Sequence, residues 1–108
     1  MPPEPLGEFE QIVLLAVLCA GRDGDDAYGV NVYGEIGERV RRPVTRGAVY
    51  MTLDRLEKKG MLTSYLTAPT SERGGRTKRC YRVTKRARAA LHESRRALIR
   101  LWEGLVEE

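Results

Sequence analysis

The chain has 108 residues, enough for one domain with a modest core and too few for a second folded module. Hydrophobic residues make up 42% and charged residues 31%; no apolar run is long enough to cross a bilayer, and the start MPPEPLGEFE lacks the basic, apolar character of a signal peptide. The net charge of +4 conceals a strong asymmetry: residues 1–40 hold two basic and eight acidic side chains (−6), residues 41–90 fourteen and three (+11), and residues 91–108 three and four (−1).

A central block this basic points to a polyanion as partner. Cys19 lies in an apolar helical run and Cys80 in a strand-like one, without CxxC spacing, so both read as reduced, packed side chains. The expectation is a cytoplasmic protein with no cofactor, no metal and no membrane contact.

Residues 6–20, LGEFEQIVLLAVLCA, read as a first helix, with Leu6, Phe9, Val13, Ala16, Val17 and Ala20 at spacings of three and four. Ile12, Leu14, Leu15 and Leu18 widen the apolar arc until the helix needs cover from two sides, which a partner subunit can supply. The loop GRDGDD (21–26) ends it and offers Asp25 or Asp26 as the next cap. A second helix runs from about Ala27 to Arg39 on Tyr28, Val32, Ile36 and Val40, weakened by Gly29, Gly34 and Gly37. Arg41, Arg42 and Pro43 break the pattern after a short gap, as a helix-turn-helix requires.

The third helix, about 45–59, carries the strongest functional signal. Thr45 can cap it, Val49, Leu53 and Leu56 form its buried stripe, and Gly60 stands where a left-handed exit is easiest. Arg46, Tyr50, Thr52 and Arg55 are expected off that stripe, facing outward, as candidates for base or phosphate contacts. Arg55 reads equally as a surface charge beside Asp54 and Glu57, and Tyr50 as a brace for the hairpin that follows. Lys58 and Lys59 read as charges that offset the helix C-terminal dipole.

MLTSYLT (61–67) and KRCYRVT (78–84) are strand-like, with Tyr81 and Val83 on one face and Cys80 and Arg82 on the other. The long connection APTSERGGRT (68–77) brings Arg73 and Arg76, with Lys78 and Arg79 beyond it, to a basic hairpin tip. Such a tip beside a groove-reading helix is a wing, suited to the phosphate backbone or the minor groove. Thr84 caps a last helix, from about Lys85 to Val106, where Leu91, Leu98 and Leu105 recur every seven residues with Leu101 and Trp102 beside the seam. The fold class is therefore mainly α with a small β-hairpin. A winged helix-turn-helix over 1–84 has its wing at about 62–83, and a C-terminal dimerisation helix occupies 85–108.

With these elements in place the sequence resembles the PadR family of bacterial transcriptional regulators. LGEFEQIVLLAVL (6–18), AYGV (27–30), TRGAVYMTLDRLEKKGML (45–62), GGR (74–76) and YRVT (81–84) carry the resemblance. It implies a homodimer whose first and last helices pack across a two-fold axis, bound to a palindromic operator on double-stranded DNA, usually as a repressor. By position it puts Thr45, Arg46, Gly47, Ala48, Tyr50 and Arg55 at or near DNA, and Arg73 and Arg76 in the wing. The short last helix resembles the short subfamily, some members of which hold a flat aromatic effector beside a tryptophan. Trp102 is comparable in position and reads first as an anchor in the dimer seam, with Leu6, Phe9, Leu91, Leu98, Leu101 and Leu105. An effector of unspecified chemistry stays open.

An enzyme is not expected: His92 is the only histidine, on a polar helical face, and no nucleophile motif, P-loop or Cys/His cluster occurs. The alternative is a winged-helix module that binds protein or RNA without an operator.

Overall fold

A computed structural model of the chain describes residues 5–68 and 77–105. Helix α1, Glu8–Ala20, starts at Gly7, whose N–H is held by the Glu10 carboxylate at 3.0 Å. Its inner face, Val13, Leu14, Ala16, Val17 and Ala20, is buried, while Leu15 remains half-exposed. A single 3₁₀ turn, Arg22–Gly24, follows, with Asp23 and Gly24 both at positive φ. Asp and Gly tolerate that region far better than branched residues do.

Helix α2 spans Gly29–Arg39, two residues shorter at its start than the periodicity suggests. Ala27 and Tyr28 are extended instead: Tyr28 bridges to Cys80, and the Ala27 carbonyl accepts from the Tyr81 N–H at 2.8 Å. This rudimentary third strand explains why Cys80 and Tyr81 are both buried although they lie on opposite faces of their strand. Neither Asp25 nor Asp26 caps α2. The start is held by Asn31, whose side chain accepts from the Tyr28 N–H at 2.8 Å, and Asp26 accepts from the Tyr65 hydroxyl at 2.7 Å.

Helix α3 spans Arg46–Lys58 and begins as expected, with the Thr45 hydroxyl accepting from the Ala48 N–H at 3.1 Å. It ends through Gly60 at φ +77°, with Met61 N–H on Leu56 O and Gly60 N–H on Glu57 O. That paired 6→1 and 5→2 arrangement satisfies two terminal carbonyls and is open to glycine at little steric cost. Strands β1 (Leu62–Leu66) and β2 (Arg79–Val83) pair antiparallel, Leu62 opposite Val83 through Leu66 opposite Arg79.

Helix α4, Lys85–Trp102, is capped by Thr84, whose Oγ1 accepts from the Ala87 N–H and lies 3.0 Å from the Gly60 carbonyl as a donor. It ends at Trp102 rather than near Val106: Glu103 leaves the helical region, and residue 106 lies outside the described residues.

One core joins all of these. Val13, Leu14, Val32, Ile36, Val49, Leu53, Leu56 and Leu62 are almost wholly inaccessible, each worth roughly 1.5–3 kcal/mol of burial. Leu6 and Leu91, expected in the dimer seam, belong to this core as well and are buried within their own chain. Phe9 packs half-buried against it. Only Ala87 and Leu91 of α4 are buried; past them Leu98, Leu101, Trp102 and Leu105 are exposed, Leu101 at 73% and Trp102 at 60%.

Candidate nucleic-acid interface

The inner face of α3 is Val49, Thr52, Leu53 and Leu56. Thr52, expected to face outward, is only 4% exposed and has no place in a contact surface. The stripe drawn through 49, 53 and 56 is too narrow. At 100° per residue Thr52 falls 40° beyond Leu56 at the edge of that stripe, and a packed helix buries an arc of about 100°, wide enough to take it in. The outward line runs instead through Gly47, Met51, Arg55 and Lys58, all exposed. Met51, which sequence reasoning passed over as a bystander, is 66% exposed. Its apolar character drew attention inward, although its spacing of four from Gly47 and Arg55 already put it on the outer line.

The residues expected at the interface are distributed around this line. Thr45 is exposed at the helix start, and Ala48, half-buried, gives its N–H to that cap. The Arg46 guanidinium lies 5.3 Å from the centre of the Tyr33 ring on α2, a cation–π geometry that steadies an exposed charge. Tyr50, 41% exposed, lays its ring on Gly29: a Cβ built there would come within 2.3 Å of the ring. Gly29 has no positive φ, so the close approach of Tyr50 is what excludes a side chain. Gly34 and Gly37 have open space around them and serve no comparable contact. Gly47 also has helical geometry and nothing within 4 Å of a built Cβ, so its cost of roughly 1 kcal/mol against alanine meets no demand inside the chain.

Where the two strands open into the loop, the Lys78 N–H donates to Thr67 Oγ1 at 2.9 Å, and its ammonium sits 3.8 Å from the centre of the Tyr28 ring. Tyr28, Tyr50, Lys78 and Tyr81 line one open depression of 410 Å³, so strand β2 with its loop end and the first turns of α2 and α3 meet at one place. Arg73 and Arg76 lie outside the described residues.

Charge pairing sorts the cations of this region. Arg79 pairs with Glu57 and, at 3.7 Å, with Asp54. It thereby neutralises the two carboxylates that could have held Arg55. Lys59 reaches Glu10 at 2.8 Å and ties the end of α3 to the start of α1. Burial works to raise the Glu10 carboxyl, but bonds from Lys59 and the Gly7 N–H outweigh it and hold it below its ordinary 4.5. The Tyr65 hydroxyl is raised by its bond to Asp26 and by burial. Arg46, Arg55 and Lys58 have no carboxylate within ion-pair distance among the described residues, so the outer side of α3 keeps its positive charge.

A second concavity of 360 Å³ lies between α1 and α4. Leu15, Leu18, Leu98, Ile99 and Trp102 supply apolar walls, with Arg88, His92 and Arg95 along it. Among the described residues no cluster of three or more His, Cys, Asp or Glu could hold a metal ion, and no helix is long and apolar enough to cross a membrane.

Comparison with known proteins gives a consistent result. The profile of the Transcriptional regulator PadR-like family matches residues 14–93. Transcriptional regulator Rv3488 of Mycobacterium tuberculosis is 47% identical over 91 residues, which cover 84% of this chain and 80% of that protein. A PadR family transcription regulator from Clostridium difficile R20291 superposes with a TM-score of 0.67 at 23% identity, covering 87% of this chain and 94% of the other. A PadR-like transcriptional regulator from Bacillus cereus gives 0.64 at 18% identity, covering 89% and 92%. At these identities the two structures establish the fold, a winged helix, and the family profile and the M. tuberculosis relative establish the family.

Proposed function

The chain belongs to the PadR-like family of transcriptional regulators, and we propose that it acts there as a homodimer whose paired α3 helices read a palindromic operator. Membership makes it a DNA-binding regulator rather than an enzyme of a recognised class. Dimerisation, the palindrome and repression are our own reading.

The observation that carries the reading is the outer side of α3. Arg46, Arg55 and Lys58 are exposed with no carboxylate at ion-pair distance among the described residues, while Asp54 and Glu57 are occupied by Arg79. A rigid helix, locked into the core on one side and cationic on the other, suits the negatively charged major groove. Thr45, Gly47, Ala48 and Tyr50 would approach the backbone or base edges from its first turns. Lys78 would meet a phosphate from the loop end of the hairpin, and Arg73 and Arg76 the backbone beyond it. Two half-sites about one DNA turn apart, roughly 34 Å, match two copies of α3 related by a two-fold axis.

The division of labour is that residues 1–84 bind DNA and residues 85–108 hold the dimer together. Supporting this, Leu98, Leu101 and Trp102 leave a broad apolar face on α4 with no cover in the chain's described residues, with Leu105 exposed just beyond the helix end and half-exposed Leu15 on α1 alongside. Contiguous apolar surface of this kind marks a protein contact. Any small-molecule effector would enter the groove between α1 and α4, where Trp102 is already in the wall. Repression is the family's usual mode, and an operator overlapping the polymerase site would produce it.

Selecting bound duplexes from a random DNA pool tests the reading and yields the site together. A palindromic motif bound by two chains is expected. Preference for single-stranded RNA over every duplex would favour the alternative of an RNA-binding module and remove the operator.

A further inference from the structure

The outward line of α3 has cations at its edges and an apolar spot at its centre. Met51 is 66% exposed, outside the core that its own chain's described residues form. One turn earlier, Gly47 has helical backbone geometry and open space where a Cβ would stand, so neither conformation nor internal packing asks for glycine. Side chains on a helix lean toward its N-terminus, which carries the Met51 thioether over the bare turn at Gly47. Arg55 stands one turn beyond Met51 on the same line and Arg46 next to Gly47 in sequence, and neither has a carboxylate at ion-pair distance among the described residues. An apolar spot one side chain wide, set among free cations, matches a surface that is anionic overall yet offers single methyl groups.

We propose that Gly47 and Met51 together read the 5-methyl group of a thymine in the major groove, making Met51 a specificity-determining residue. Thymine is the base that presents a methyl there, and apolar side chains recognise it by contact. The missing Cβ at Gly47 lets the helix backbone come close to the base edge, and the unbranched, polarisable Met51 closes over the methyl. This rests on the reading of α3 as the groove helix and names what that helix selects.

Deoxyuridine differs from thymidine at the base only by that methyl. Each thymine of the selected half-site is replaced by deoxyuridine in turn, and binding is measured for the wild type and for Met51→Ala. At one position the replacement should weaken wild-type binding about fourfold, and about fifteenfold when made in both half-sites, the worth of burying one methyl in each. Met51→Ala should bind the thymine operator weakly by a similar factor and no longer distinguish thymine from uracil there. Because Met51 is exposed, the variant should keep the wild-type melting temperature, which confirms that folding is not the cause.

The proposal is overturned if Met51→Ala keeps the full thymine–uracil difference, or if no thymine in the half-site is sensitive to the exchange. It is equally overturned if the variant binds DNA normally and instead loses its partner chain, which would make the spot a protein contact. A wild type that selects no duplex at all would take down the operator reading itself, a distinguishable result.

Discussion

Gly29 and Tyr50 offer a close test of how α2 and α3 are fitted together. A methyl group added at position 29 would lie 2.3 Å from Tyr50 Cε1 and 3.0 Å from Cζ, so the ring must leave its seat. Tyr50 is 41% exposed and can swing toward solvent, which limits the damage to lost ring contact and a strained rotamer. Overpacking of this kind costs about 1–3 kcal/mol. Alanine would otherwise favour the helix by up to about 1 kcal/mol over glycine. Gly29→Ala should therefore destabilise the wild type by about 1–2 kcal/mol in urea unfolding, yet be neutral or mildly stabilising in a Tyr50→Ala background. The cycle should give a coupling of about 1–3 kcal/mol between the two positions. If Gly29→Ala costs as much without the Tyr50 ring as with it, the steric explanation is wrong and some other feature demands glycine. Displacement of the ring should also weaken operator binding in Gly29→Ala.

Thr84→Ala removes a hydroxyl that caps α4 and also bonds the turn after α3, and should cost about 1–2 kcal/mol in thermal unfolding, whereas Thr84→Ser should cost little. Glu10, held below its ordinary 4.5, contributes stability that is fully present above the unfolded value and is lost as pH falls through the lower folded value. Glu10→Ala should thus destabilise by about 1–2 kcal/mol near pH 7, with the difference from wild type shrinking toward zero in acid titration below that range. Charged residues in place of Leu98 and Leu105 should give folded monomers by sedimentation, since both side chains are exposed in the protomer; a persistent dimer would remove α4 from the interface.

Much of the architecture is legible in the sequence because local signals agree with the global fold. Thr45, Gly60 and Thr84 each sit at a helix boundary, and each makes there the bond or turn its chemistry favours. The start of α2 escaped because a single β-bridge from Tyr28 to Cys80 overrides helical periodicity at Ala27 and Tyr28, a contact across more than fifty residues. Thr52 was misplaced, and Met51 passed over, because polarity was taken as a guide to direction; on α3 the helical angle decides, burying the hydroxyl and exposing the thioether. Leu6 and Leu91 show the converse limit. Their apolar character marks them as buried, but whether by a partner or by their own core is settled only by the tertiary packing. The role of Gly29 was beyond reach as well, since nothing local ties it to Tyr50.

In the proposed complex, paired α3 helices bind duplex DNA through cations that no carboxylate among the described residues holds. The most direct test of this is the affinity for the selected palindrome as a function of salt, plotted as log K against log salt concentration. Arg46, Arg55 and Lys58 in two subunits offer six phosphate partners, which at about 0.9 each give a slope of about −5 or steeper. A slope near zero, or an equal affinity for single-stranded RNA, would contradict it.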